Sequence, residues 1–304
     1  MDNSDLTGFR SFDDFMKERT KIFAATNDRS DKDIVEFNRK VLEEEYDNGV
    51  QVAEPTGIKL IDPHFKWKRG FQNVFTGYPN DGKTQFALFL MLAKALADEW
   101  KFVVWSPEMR SANFINGKVE VNYNDLYSDL TWMITGKTPY QHIAEQFKVP
   151  RQTKEEFLAH CEWIHEHFIF MDPRQKTPDY IREVLERQYD AFGFDGVLID
   201  PFKNIRQEGG MRDDLYLDML FDSYKDFAVR HNCSHNWIAH PKANVTRIRK
   251  IDGTDTLMPC DQYMLNGGAA WDNGMDGIYS VFRWGTMEDK NHPGVHFINL
   301  KQRK

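Results

Sequence analysis

The feature that most limits what this chain can fold into is a series of short apolar runs, each closed by polar or small residues. They read NVFT (73–76), FVVWS (102–106), FIFMD (168–172), GVLID (196–200), NWIAH (236–240), GIYSVF (277–282) and VHFINL (295–300). Several are separated by stretches with helical spacing, notably 83–98, 178–191 and 213–231. Strands that alternate with helices predict βαβ units and an α/β fold on a mostly parallel sheet flanked by helices. In such sheets ligands bind beyond the carboxyl ends of the strands, so the residues that close each run are the first place to look for chemistry.

At 304 residues the chain has room for a large core, and the texture changes near residue 50. Residues 1–50 are polar with two amphipathic helical patterns, SFDDFMKERTKIFAA and SDKDIVEFNRKVLEEEY, and are expected to be a helical or linker segment; 51–304 is expected to form the α/β domain. The net charge of −8 argues against broad adhesion to nucleic acid, but −5 of it lies in the first fifty residues, which leaves a local basic groove possible. Cys161, Cys233 and Cys260 form no CxxC pair, which fits neither a disulfide framework nor a zinc site and suggests a reducing, cytoplasmic setting. No run approaches the length of a membrane span.

The strand 73–76 leads into TGYPNDGKT, which fits G-x-x-x-x-G-K-[ST] from Gly77 through Gly82, Lys83 and Thr84, with a helix following. That context predicts a phosphate loop: backbone N–H groups around Gly82 close on phosphate, Lys83 reaches the outer oxygens and the Thr84 hydroxyl can ligate Mg²⁺. A metal-holding acid is then needed at another strand end; Asp200 and Asp172 both qualify, and Asp200 is preferred because its strand is the more aliphatic. Glu108, in FVVWSPEMR, stands where a base could orient water. His240 closes another strand, where a γ-phosphate could be sensed. Lys242, Arg247, Arg249 and Lys250 put four cations on one loop without an acid, suited to a phosphate backbone. Two stretches, 204–214 and 241–262, read as loops.

Together these motifs resemble the RecA-like motor domain of replicative hexameric DNA helicases of the DnaB and Twinkle type, including primase-helicase-like proteins of phages. The likeness runs from about GIKLIDPHFKWKRG to the end of the chain. It places Gly77, Asn80, Gly82, Lys83 and Thr84 in the ATP loop, Glu108 as catalytic base, Asp200 at the Mg²⁺ and His240 as γ-phosphate sensor. The segment LNGGAAWDNGMDGIYSVFR, with Trp271, Asp276 and Arg283, looks like the stretch that brings an arginine near the nucleotide base. Lys301 and Arg303, in LKQRK, match a K-x-R that reaches the ATP of the neighbouring subunit, Arg303 as the finger.

The resemblance implies ATP and Mg²⁺ as cofactors, single-stranded DNA as partner, a homo-oligomer of hexamer type and a primase or loader as a further partner. It implies that the loops 204–214 and 241–262 face DNA and that a helix of the first fifty residues docks on a neighbour. The family usually continues past the K-x-R, so a shortened form is expected. Two other readings stay open: a recombination- or assembly-type RecA-like ATPase that does not unwind, and a nucleotide-dependent structural or loading subunit.

Overall fold

A computed structural model describes residues 31–49, 52–206, 212–243, 245, 248–251, 254–283 and 294–303. The chain divides into two compact units, Met1–Val52 and Ala53–Lys304. In the first, the described element is helix α1 (Asp31–Asn48), which carries the i,i+4 ion pairs Arg39–Glu43 and Glu36–Lys40. The first of the two amphipathic patterns, SFDDFMKERTKIFAA, lies outside the described residues.

In the second unit the seven apolar runs become the seven strands of one sheet: β1 (Gln72–Thr76), β2 (Phe102–Trp105), β5 (Phe168–Phe170), β6 (Gly196–Ile199), β7 (Ser234–Ala239), β10 (Gly277–Arg283) and β11 (Val295–Gln302). Their order is β11-β10-β1-β7-β6-β2-β5, and every pairing is parallel except β10 with β11. Helix α2 (Lys83–Asp98) carries the chain from β1 to β2, α6 (Pro178–Phe192) leads into β6, and α7 (Asp213–Arg230) joins β6 to β7. The expected mostly parallel sheet flanked by helices is the fold observed.

Strand periodicity builds two cores. Val74, Val103, Trp105, Val197, Ile199, Trp237 and Ile278 point to one face, against Ile181 and Leu185 of α6 and Leu217 to Ala228 of α7. Their neighbours Phe75, Phe102, Val104, Leu198, Ile238 and Tyr279 point to the other, against Leu88 to Ala95 of α2. Successive residues thus serve opposite faces, and burial on both sides explains why the runs of β2 and β6 are continuously apolar instead of alternating, whereas β11 at the edge is exposed or half-buried and carries His296 and Asn299.

Between β2 and β5 the chain forms elements that the sequence reading had not assigned: a hairpin of β3 (Ser111–Ile115) and β4 (Lys118–Asn122), then α3 (Asn124–Thr135), α4 (Gln141–Phe147) and α5 (Lys154–His167). A capping box opens α5, with Thr153 accepting from the Glu156 N–H and Glu156 accepting from the Thr153 N–H, a signature present in the string TKEE. The segment 241–262, expected to be one long loop, contains a second hairpin, β8 (Ile248–Ile251) with β9 (Thr254–Leu257). The turn at NGGAAW is in part helix α8 (Gly268–Gly274), entered through Gly267 at φ 73°. A Cβ there would overlap the Leu217 side chain.

Asp276, 3% exposed, ties the start of the sheet together. Its carboxylate accepts from the Gln72 N–H at 2.8 Å and pairs with Lys225 of α7 at 2.6 Å and Arg303 at 3.1 Å. Removing it would leave the buried Gln72 N–H without its acceptor and two cations without their counter-charge, each keeping one backbone carbonyl, of Gly70 and Asn273. Asp276→Ala is therefore expected to lower the unfolding free energy by roughly 2–4 kcal/mol, read from urea midpoints; an unchanged midpoint would show that water replaces the carboxylate without cost.

Candidate nucleotide site

Because β1, β7, β6, β2 and β10 are parallel, their carboxyl ends meet at one edge of the sheet. The chain leaves β1 through Gly77, whose φ of 151° and position leave no space for a side chain: a Cβ would overlap the Val281 carbonyl oxygen of β10. Asn80 and Gly82 take left-handed conformations, φ 65° and 88°, and wrap the loop back into α2. Gly82 caps that helix without a side-chain bond, which leaves the first-turn N–H groups for an anion. Asp81, 1% exposed, holds the loop from inside by accepting from the Tyr78 N–H. Lys83 donates to the Tyr78 carbonyl at 2.8 Å, and burial pushes its pKa down.

Of the two aspartates, Asp200 is the one beside the loop: its Oδ2 accepts from Thr84 at 2.9 Å and from Ser106 at 2.9 Å. Asp172 instead pairs with Arg110 at 3.0 Å. Burial pushes the Asp200 carboxyl up to about 6, against the Ser106 and Thr84 hydrogen bonds that pull the other way. The hydroxyl and carboxylate oxygens of Thr84 and Asp200 are the hard donors Mg²⁺ prefers alongside phosphate and water oxygens, so the residues fit that ion. Among the described residues no group of three or more His, Cys, Asp or Glu side chains could hold a metal alone.

Glu108 sits on a single 3₁₀ turn, Pro107–Met109, directly after β2 and Ser106. Its carboxylate pairs with Lys203 at 2.8 Å. His240 follows β7; burial, then the charges of Lys83 and Lys203, push its pKa down to about 4, so its imidazole is neutral near pH 7 and can donate one hydrogen bond and accept another. Arg283, exposed, ends β10 at the same edge. Ser106 and Lys203 were not singled out from sequence. Both adjoin named residues, in WSPE and DPFKN, but only the fold brings the two segments together.

Lys242 begins the connection after β7, its N–H donating to the Met264 carbonyl. Arg249 and Lys250 lie on β8, in register with Thr256 and Asp255. Arg247 lies outside the described residues.

Lys301 and Arg303 are elsewhere. The antiparallel register sets Lys301 opposite Ile278, and the Arg303 N–H donates to the Asp276 carbonyl, at the amino ends of the parallel strands. At about 3.3 Å per residue along β1, this puts the Arg303 backbone on the order of 15 Å from the phosphate loop of the same chain. Lys301 donates to the Asp272 carbonyl, and Arg303 to that of Asn273 at 2.7 Å.

The buried Asp200 charge makes a prediction. A carboxyl raised from its ordinary 3.8 to about 6 favours folding below pH 3.8 relative to higher pH, and that advantage is lost as pH rises through about 6. In the nucleotide-free protein, Asp200→Asn is expected to raise stability at pH 7.5 by on the order of 3 kcal/mol and to give no gain below pH 3.8, while weakening binding of Mg²⁺ with nucleotide. Equal melting temperatures of the two proteins at pH 7.5 would contradict it.

No family model matches the chain. Over 262 residues it is 23% identical to the Twinkle homolog protein, chloroplastic/mitochondrial, of Arabidopsis thaliana, a match covering 84% of this chain and 34% of that protein, so the chain spans about a third of its relative's length. Among solved structures it is similar to an isolated ATPase domain, with a TM-score of 0.63 at 15% identity over 91% of this chain and 92% of that one. It is also similar to a KaiC-like protein from the hyperthermophilic archaeon Pyrococcus horikoshii, with a TM-score of 0.50 at 14% identity over 84% and 90%. The chain has the RecA-like fold, and its sequence is similar to that of a Twinkle homolog protein.

Proposed function

We propose that the chain is an ATP-hydrolysing motor that assembles with copies of itself, in a hexamer by the family pattern, and translocates on single-stranded DNA to unwind it during replication. One observation supports this reading most. The phosphate loop, Asp200, Glu108 and His240 converge at the carboxyl edge of the sheet, while Lys301 and Arg303 sit at its amino edge, out of reach of their own loop.

In this reading the loop N–H groups and Lys83 bind the ATP phosphates, and Thr84 with Asp200 holds Mg²⁺, which offsets phosphate charge. Glu108 accepts a proton from the attacking water. His240 bonds the γ-phosphate as a neutral imidazole and passes its presence to the connection that begins at Lys242. Arg283 lies near the base. Lys301 and Arg303 of a neighbouring copy stabilise charge in the transition state, which makes hydrolysis depend on assembly. Arg247, Arg249 and Lys250 with Lys242 grip the DNA backbone, so binding weakens with salt. The first fifty residues serve ring assembly, and a primase or loader completes the machinery. No described helix is long and apolar enough to cross a membrane, and the free cysteines suit a reducing cytoplasm.

Hydrolysis with and without single-stranded DNA, with Lys83→Ala as the blank, tests the motor reading; a DNA-indifferent rate would favour an assembly-type ATPase. Arg303→Ala is expected to bind ATP near the parent affinity and to lose hydrolysis by roughly 10³-fold, the scale of an arginine finger. Mixing Arg303→Ala with Lys83→Ala should restore part of the activity, because some interfaces then join an intact loop to an intact finger. No recovery on mixing would rule out the arrangement between copies.

A further inference from the structure

The proposed base, Glu108, is already engaged. Its Oε1 lies 2.8 Å from Lys203 Nζ, a direct contact with no room for a water between the two groups. The contact occupies one carboxylate oxygen that a water would otherwise approach, and the cation sets the orientation of the carboxylate.

The two groups come from strands that lie side by side, Glu108 from just beyond β2 and Lys203 from just beyond β6. Lys203 is the middle residue of a 3₁₀ turn, Phe202–Asn204. Phe202, on the same turn, packs edge-on against Trp237 and Trp271, ring centroids 5.9 and 5.0 Å away, so the backbone that carries Lys203 is anchored to the core. The lysine itself is 57% exposed and Glu108 47%, so their pair is open to competition by another anion. Lys203 also borders a cavity of about 240 Å³ shared with His240, Asn266 and Tyr216, which gives its side chain room to swing away.

We propose, resting on the motor reading above, that Lys203 is a positioning residue that restrains Glu108 and that a phosphate of single-stranded DNA releases it by taking the ammonium group. Lys203 begins the connection from β6 to α7, so an anion arriving there meets this cation within a few residues of the metal-holding Asp200. DNA binding is then coupled to hydrolysis through one exchange of ion-pair partners. Restraint keeps hydrolysis slow in the absence of DNA, where turnover does no work.

The test is hydrolysis at saturating ATP and Mg²⁺, with and without a single-stranded oligonucleotide, in the parent, Lys203→Met and Lys203→Arg. Thermal melting of all three checks the fold; both partners are half exposed, so the core is untouched. In Lys203→Met the DNA-free rate is expected to rise by roughly two- to fivefold, the span a half-exposed ion pair can supply, and DNA stimulation is expected to fall by the same factor. Lys203→Arg, which keeps the cation, is expected to retain the parent's stimulation. A DNA-free rate in Lys203→Met at or below the parent's, in a parent that hydrolyses ATP, overturns the restraint and leaves the motor reading standing. A raised DNA-free rate with undiminished stimulation overturns DNA as the releasing partner. A parent that hydrolyses no ATP under either condition overturns the motor reading and this inference with it.

Discussion

Parallel hydrogen bonding across β10, β1, β7, β6 and β2 is the constraint on which the rest of the structure depends. Strands that run the same way must end at the same edge, so residues separated by more than a hundred positions in sequence finish as neighbours. Thr84 meets Asp200 across 116 positions at 2.9 Å, and Ser106 meets the same oxygen. No local motif can bring these groups together. The sheet does so because each crossover helix returns the chain to the opposite edge before the next strand begins.

That arrangement carries a cost at its centre. Asp200 is 3% exposed, and two hydroxyls only partly make up for its lost hydration, so its carboxyl is held near 6. Lys83, comparably buried, leans on a backbone carbonyl of its own loop. A site with an under-solvated carboxylate and a lysine parked on the loop is suited to a divalent cation and a polyanion, each of which satisfies what the protein leaves strained.

The amino edge of the sheet is organised differently. Asp276 gathers Gln72, Lys225 and Arg303, and so fixes the end of β11 to the start of β1 and to α7. Arg303 is thereby held in a defined place at the edge remote from its own phosphate loop. The antiparallel return of β11 is the physical reason: had the last strand joined in parallel, Lys301 and Arg303 would have emerged beside the loop that precedes α2.

How much of this could be read from sequence depended on whether the signal was local. All seven sheet strands, the glycine-bearing turn at 77–82 and the three long helices α2, α6 and α7 were legible, since a strand packed in the sheet writes itself as an apolar run and a turn with positive φ favours glycine. The hairpins β3–β4 and β8–β9 were not: the alternation of Val119 and Val121 on β4 is short and solvent-exposed, β8 and β9 are only four residues each, and neither hairpin forms the apolar run that marks the sheet strands. Asp200 and Asp172 looked alike as D-P ends of apolar strands; the three-dimensional neighbours, Thr84 for one and Arg110 for the other, separate them. Glu108 could be named from sequence as a candidate base, but its pairing with Lys203 could not, because it joins two strand ends across 95 positions. The sequence by itself determined the elements and the residue types that close them, since those follow from local periodicity and backbone stereochemistry. Only the tertiary structure decided which of those residues touch, because strand order and direction are set by packing on both faces of the sheet.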